Sequence, residues 1–120
     1  MAYVDNFVVP VKRSDLEAYR SCAAEMARLW RNLGALSVVE AVGDGLTWGK
    51  TTSFPRAVLA TDDEVVVMAT IVWRDKAQKE AATAAAFADP AMLALMDRVP
   101  VDGARMIWGS FDVLVQEGHG

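Results

Sequence analysis

The spacing of apolar and polar positions changes several times along the chain, and each change marks an element. Tyr3 to Val11 is rich in aromatic and β-branched residues and predicts a first strand. Pro10 has no N–H to give to a ladder, so it marks the strand's end or an unpaired position. From there the period lengthens. Leu16, Tyr19, Ala23, Met26, Trp30 and Leu33 recur at three- and four-residue spacing and form one apolar helical stripe, with Arg20, Arg28 and Arg31 mostly off it. Ser14 followed by Glu17 predicts a capping box, and Gly34 a left-handed C-terminal cap. Ala35 to Val42 predicts a second strand, ended by Gly43-Asp44-Gly45. Leu46 to Ala60 is a connection longer than a hairpin needs. Asp62-Asp63-Glu64 reads as an acidic turn. Val65 to Trp73 follows, almost continuously apolar, and predicts a third strand buried on both faces. Asp75 caps an alanine-rich helix, Lys76 to Ala88, suited to close packing on a sheet. Asp89-Pro90 opens a short helix, Ala91 to Arg98. After a turn at 99–103, Arg105 to Val115 predicts the last strand, and 116–120 is a polar tail.

This order is a split β-α-β arrangement. It predicts one α+β, ferredoxin-like βαββαβ domain over residues 1–120, with a four-stranded antiparallel sheet. The strand order is 4-1-3-2, and right-handed crossovers put both helices on one face. Alternation divides the strand residues into two sets. Val4, Val8, Val39, Ala41, Val65, Val67, Ala69, Ile71, Ile107, Phe111 and Val113 are nearly free of charge and are expected beneath the helices. The other set mixes Phe7, Leu36, Met68, Met106 and Trp108 with Asp5, Glu40, Thr70, Ser110 and Asp112, and is expected to line a partly polar cavity closed by a second copy. A bulge would exchange the sets within one strand.

Bulk properties narrow the function. A 53% apolar content is high for a small monomer and points to a buried interface as well as a core. The net charge of −4 disfavours binding to phosphate backbones, so no nucleic-acid partner is expected. The start MAYVDNFVV lacks the basic and long apolar regions of a signal peptide, and no apolar run reaches the ~20 residues that span a bilayer. One cysteine, Cys22, sits in the first helix beside Ala23 and Ala24 and reads as a small buried residue. A cytoplasmic location fits best.

The stretches YVDNFVVPV at 3–11, LEAYRSCAAEMARLWRNLGALSVVEAVGD at 16–44, GKTTSFPRAV at 49–58 and GARMIWGSF at 103–111 resemble the YbaA-like family of conserved uncharacterised proteins. The resemblance covers nearly the whole chain, and GKTTSFPRAV is its most specific part. It implies a dimeric α/β barrel, in the superfamily that includes cofactor-free monooxygenases, chlorite dismutase relatives and stress-responsive barrel proteins. It brings no reaction and no assigned catalytic residue.

The candidate chemistry is sparse. Gly49-Lys50-Thr51 copies only the end of a phosphate loop. The lone histidine, His119, has no companion ligands, so neither metal nor cofactor is expected. Asp5 and Glu40 lie in otherwise apolar strands. A desolvated carboxyl there can act as a general acid or base; the plainer reading is that each pairs with Lys50, Arg56 or Arg105, or bonds a backbone group. Lys50, Arg56 and Arg105 can hold an anion at the cavity mouth or serve as surface cations and dimer salt bridges. Trp108 can stack on a ligand or pack on the partner. Trp48 and Phe54 form a lid or dock on the second copy, and Trp30 belongs to the core. The expected function is a homodimer binding a small molecule in the sheet-face cavity. The alternatives are a non-catalytic stress or accessory protein acting through its dimer surface, and a cofactor-free monooxygenase-like enzyme.

Overall fold

In the computed structural model, which describes residues 2–118, two ten-residue strands form the middle of the sheet. β1 (Tyr3–Lys12) and β3 (Glu64–Trp73) pair antiparallel along their whole length, Tyr3 opposite Trp73 and Lys12 opposite Glu64. The shorter β2 (Ser37–Val42) and β4 (Ile107–Asp112) flank them, so the order is β2-β3-β1-β4, as the split arrangement predicts. Pro10 lies inside a central strand rather than at its end. The Gly43 N–H bonds the Val66 carbonyl, which turns the Val66 backbone toward β2. Pro10, opposite Val66, therefore turns its backbone the other way, toward β4. There β4 has already stopped, since its final pair is Ile107 with Val8. The missing donor has no strand to serve.

The chain enters α1 (Leu16–Asn32) through a single 3-10 turn, Arg13–Asp15. The expected capping box does not form: Asp15 occupies the cap position without a side-chain bond. The Arg13 N–H instead bonds the Asp63 carbonyl at 2.9 Å, anchoring this entry to the turn before β3. At the other end Gly34 N–H bonds Arg31 and Ala35 N–H bonds Trp30, both at 3.0 Å, with Gly34 at φ 113°. This closing pattern satisfies the last carbonyls and needs a left-handed residue. The long connection contains α2 (Phe54–Ala57), whose Ser53 hydroxyl accepts the Arg56 N–H. Asp75 caps α3 (Lys76–Phe87) by accepting the Gln78 N–H at 2.8 Å, and Asp89 caps α4 (Pro90–Arg98).

The helices cover one face of the sheet, but the residues beneath them are not the expected set. Val9, Val11 and Val67 pack with Tyr19 and Ala23 of α1. Ile71 and Trp73 pack with Ala82 of α3, joined by Tyr3, Phe7, Trp30 and Val38. The register then puts Asp5, Glu40, Trp108 and Ser110 on this helix side. The phase predicted for β3 holds, whereas those of β1, β2 and β4 are exchanged. The opposite face carries Val4, Asn6, Val8, Val39, Met68, Thr70, Ile107 and Phe111. One end of it is sealed by the connection, where fully buried Val58 packs on Val8 and Val66. Its remainder is open: Val39, Ile107 and Phe111 are about half exposed. β4 is shorter than predicted, leaving Arg105 in the preceding loop. His119 lies outside the described residues. Among these, no helix is long and apolar enough to cross a membrane.

Candidate functional site

A groove of about 430 Å³ lies between α1 and the edge strand β2. Ala23, Ala24 and Ala27 line the α1 wall, Val38 and Val42 the β2 wall, with buried Val67 also part of the lining. The small alanines leave the space open: Ala23 lies on the apolar stripe, with Ala24 and Ala27 beside it. Two polar groups meet inside. The Tyr19 hydroxyl donates a hydrogen bond to Oε1 of Glu40. Tyr19 is buried, and its hydroxyl holds its proton well above the usual phenol range, through desolvation first and the adjacent carboxylate second. Glu40 is exposed as a residue on the edge strand, yet its carboxyl turns into the groove. Partial removal from water raises its pKa, and the Tyr19 bond offsets only part of that rise. The pair thus offers a carboxyl that keeps its proton longer than usual beside a neutral phenol.

Asp5 does not share this groove. It is buried beneath the helix layer and accepts hydrogen bonds from Trp73 Nε1 at 3.0 Å and from the Ser110 hydroxyl, with Lys79 Nζ 3.9 Å away. Neither carboxyl pairs with Lys50, Arg56 or Arg105. Asp5 joins β1, β3, β4 and α3 at one point and has a full set of partners, which suits a structural anchor.

The candidate cations are dispersed. Arg105 is held by Glu64, Asp102 and the Leu59 carbonyl. Arg56 folds its own loop: its guanidinium donates to the carbonyls of Trp48 and Gly49 and lies 4.8 Å over the Trp48 ring. Lys50 stands exposed in the same loop. Trp108 is 64% exposed and stacks on Phe7, on the helix side of β4. Trp48 and Phe54 are also about half exposed. Cys22 is buried against the Leu95 carbonyl, and burial pushes its thiol up, away from a reactive thiolate. Among the described residues, no three His, Cys, Asp or Glu side chains gather as metal ligands would.

Sequence reasoning assigned Tyr19 only to the apolar stripe. Its hydroxyl was the available signal, since a tyrosine in a buried stripe needs a polar partner. Ser110, Trp73 and Lys79 carried no such signal, because they meet Asp5 only through long-range pairing.

Comparison with known proteins bears on the family and the fold. The chain is 39% identical over 117 residues to the uncharacterised protein YbaA of Escherichia coli (strain K12), covering 98% of this chain and all of YbaA. The same identity and coverage hold for YbaA of Shigella flexneri. Among solved structures, a variant of SnoaB, a cofactor-independent oxygenase from Streptomyces nogalater, superposes with a TM-score of 0.64 at 15% identity, covering 96% of this chain and 95% of that one. A dimeric ferredoxin-like protein from an uncultured marine organism superposes with a TM-score of 0.61 at 13% identity, covering 98% of this chain and all of that one. These two likenesses establish the α+β ferredoxin-like fold. The profile of the protein family of unknown function DUF1428 matches residues 2–103, and with the YbaA identity over nearly the full length this makes the chain a member of that YbaA-like family.

Proposed function

We propose that the protein is a homodimeric α/β barrel that binds a small, largely apolar molecule in the groove between α1 and β2, with Tyr19 and Glu40 meeting the molecule's polar end. The observation that carries this reading is the Tyr19–Glu40 pair inside aliphatic walls. A few polar groups in an apolar pocket fix orientation, and a carboxyl with a raised pKa can serve as a general acid or base. The groove lies on the helix side, which replaces the sheet-face cavity expected from alternation. The open sheet face then serves the second copy. Its exposed Val39, Ile107 and Phe111 favour cover, and the likeness to a dimeric ferredoxin-like protein supports that arrangement.

The test uses the neutral fluorophore N-phenyl-1-naphthylamine. Saturable binding is expected for the native chain and a loss of at least tenfold in affinity for Ala24→Trp, which fills the groove from an exposed helix position. Equal binding by that variant, with its circular dichroism unchanged, would place the probe elsewhere and sink the reading. Sedimentation at micromolar concentration that shows only monomer would remove the dimer. The likeness to a cofactor-independent oxygenase supports a catalytic form of the same site, with Glu40 taking a proton from the bound substrate. Oxygen uptake abolished by Glu40→Gln would mark that form.

A further inference from the structure

We infer that the molecule held in the groove is an elongated organic acid. Its carboxylate sits on Arg28 and Arg31, its apolar body runs along the α1 alanines, and a hydroxyl or carbonyl at its far end meets Tyr19 and Glu40. This rests on the groove proposed above and narrows its occupant to one class of molecule.

A second groove, of about 570 Å³, continues the first along α1 and shares Ala27 and Val38 with it. Its lining has a different character. Arg28 and Arg31 bring positive charge and Asn32 an amide, while Leu36, 52% exposed, adds apolar surface. These two cations differ from their neighbours. Arg20 stands 3.4 Å from Glu17, and Arg98 stands 2.7 Å from Glu25. Among the described residues, no carboxylate comes within ion-pair distance of Arg28 or Arg31. Arg31 is nevertheless fixed in place. Its Nη1 donates to the Ala35 carbonyl at 2.6 Å and to the Leu36 carbonyl at 2.8 Å. A guanidinium carries five N–H donors, so the edge formed by Nε and Nη2 is left to receive an anion without first having to be ordered.

Helical spacing makes one track of the two grooves. Tyr19, Ala23, Ala27 and Arg31 follow at four-residue intervals and form a single row on α1. The row begins at the phenol bonded to Glu40 and ends at the pinned guanidinium, with only alanines between. That stretch rises ~18 Å along the helix. An elongated molecule can therefore touch both ends, whereas a compact one reaches only one of them. Charge selects the head group. The two oxygens of a carboxylate match the planar edge of a guanidinium. Glu40 lies on the same track and the chain carries a net charge of −4, so an occupant with one negative charge suits the site better than one with two.

The test sets ω-hydroxydodecanoate against the matching dodecane-α,ω-diol, which replaces the carboxylate by an alcohol, as competitors of bound N-phenyl-1-naphthylamine. The acid is expected to displace the probe at a concentration at least tenfold below that of the diol. Arg28→Gln, at an exposed position, is expected to cut this advantage at least threefold. Arg28→Gln with Arg31→Gln is expected to abolish it while leaving displacement by the diol unchanged. Arg31 also pins the turn into β2, so circular dichroism accompanies the double variant, and Arg28→Gln alone decides the matter if the pair does not fold. Equal displacement by acid and diol overturns this inference and leaves the groove reading standing. So does an acid advantage that Arg28→Gln does not reduce. A probe that binds Ala24→Trp as well as the native chain removes the groove reading, and this inference with it.

Discussion

Arg105 grips Glu64 with both ends of its guanidinium, Nη1 donating to Oε1 at 2.8 Å and Nη2 to Oε2 at 2.7 Å. The same side chain donates from Nη1 to the Leu59 carbonyl at 3.0 Å and from Nε to Asp102 at 2.7 Å. One arginine thus ties the loop before β4 to the start of β3 and to the end of the long connection. Leu59 sits at φ 53°, a left-handed conformation that costs a non-glycine residue about 1–2 kcal/mol. The guanidinium bound to its carbonyl helps hold it there.

Glu64→Gln is expected to destabilise the fold by about 2 kcal/mol, because charge-assisted, paired hydrogen bonds to a nearly buried carboxylate are lost. Arg105→Met should cost more than Glu64→Gln, since it strands that carboxylate without its cation. Urea unfolding of both variants and of the double mutant measures the coupling, and additive effects would contradict the pairing.

Two carboxyls make the pH dependence of stability run in opposite directions. Arg105 holds Glu64 down to about 2. Its folded pKa is depressed, so its stabilisation is present above the unfolded value of about 4.3 and disappears as pH falls from there toward 2. Glu40 is raised by desolvation. Its contribution is complete below about 4.3 and lost as pH rises through its folded value. Glu40→Gln should therefore flatten the decline of Tm above pH 4 while leaving the acid limb intact. An unchanged decline would show that Glu40 ionises as freely in the fold as in the unfolded chain.

Trp73→Phe removes the Nε1 donor from buried Asp5 while keeping most of the aromatic body, which meets Trp30 edge-on at 5.9 Å. The loss should be about 1–3 kcal/mol, the range for leaving a buried acceptor short of a donor. Trp73→Phe combined with Asp5→Asn should cost less than the sum of the single changes, as thermal unfolding will read.

Gly34→Ala should destabilise by at least about 1 kcal/mol, because alanine resists positive φ. The new Cβ would also come within 2.8 Å of Gln78 Nε2. Adding Gln78→Ala removes that contact but not the backbone penalty. Recovery in the pair should accordingly be partial, and full recovery would assign the whole cost to the clash.

The sequence carried the element order, the sheet order and most caps, because these depend on local periodicity and on short-range signals such as Asp75 and Asp89-Pro90. It did not carry the phase of β1, β2 and β4. Local alternation favours an uncharged set beneath the helices and so places Asp5 and Glu40 on the opposite, cavity-lining face. What makes Asp5 tolerable inside is Trp73 and Ser110, 68 and 105 residues away. Tyr19 makes the corresponding contact for Glu40 from a helix 21 residues earlier. Burial of a charge is decided by such distant donors, to which local pattern is blind. The capping box failed for a related reason: the Arg13 bond to Asp63 fixes the entry into α1 from outside the helix.

Pro10 acts as a length stop for a strand other than its own. By offering no proton on the β4 side, it withdraws the reward for extending β4 back beyond Ile107. Residues 99–106 are thereby released from the ladder. Val99, Val101 and Met106 can turn inward against Val9 and Val11, and Arg105 can swing across to Glu64. A single absent hydrogen in β1 thus sets where the last strand begins, and with it which residue is free to lock the far end of the sheet.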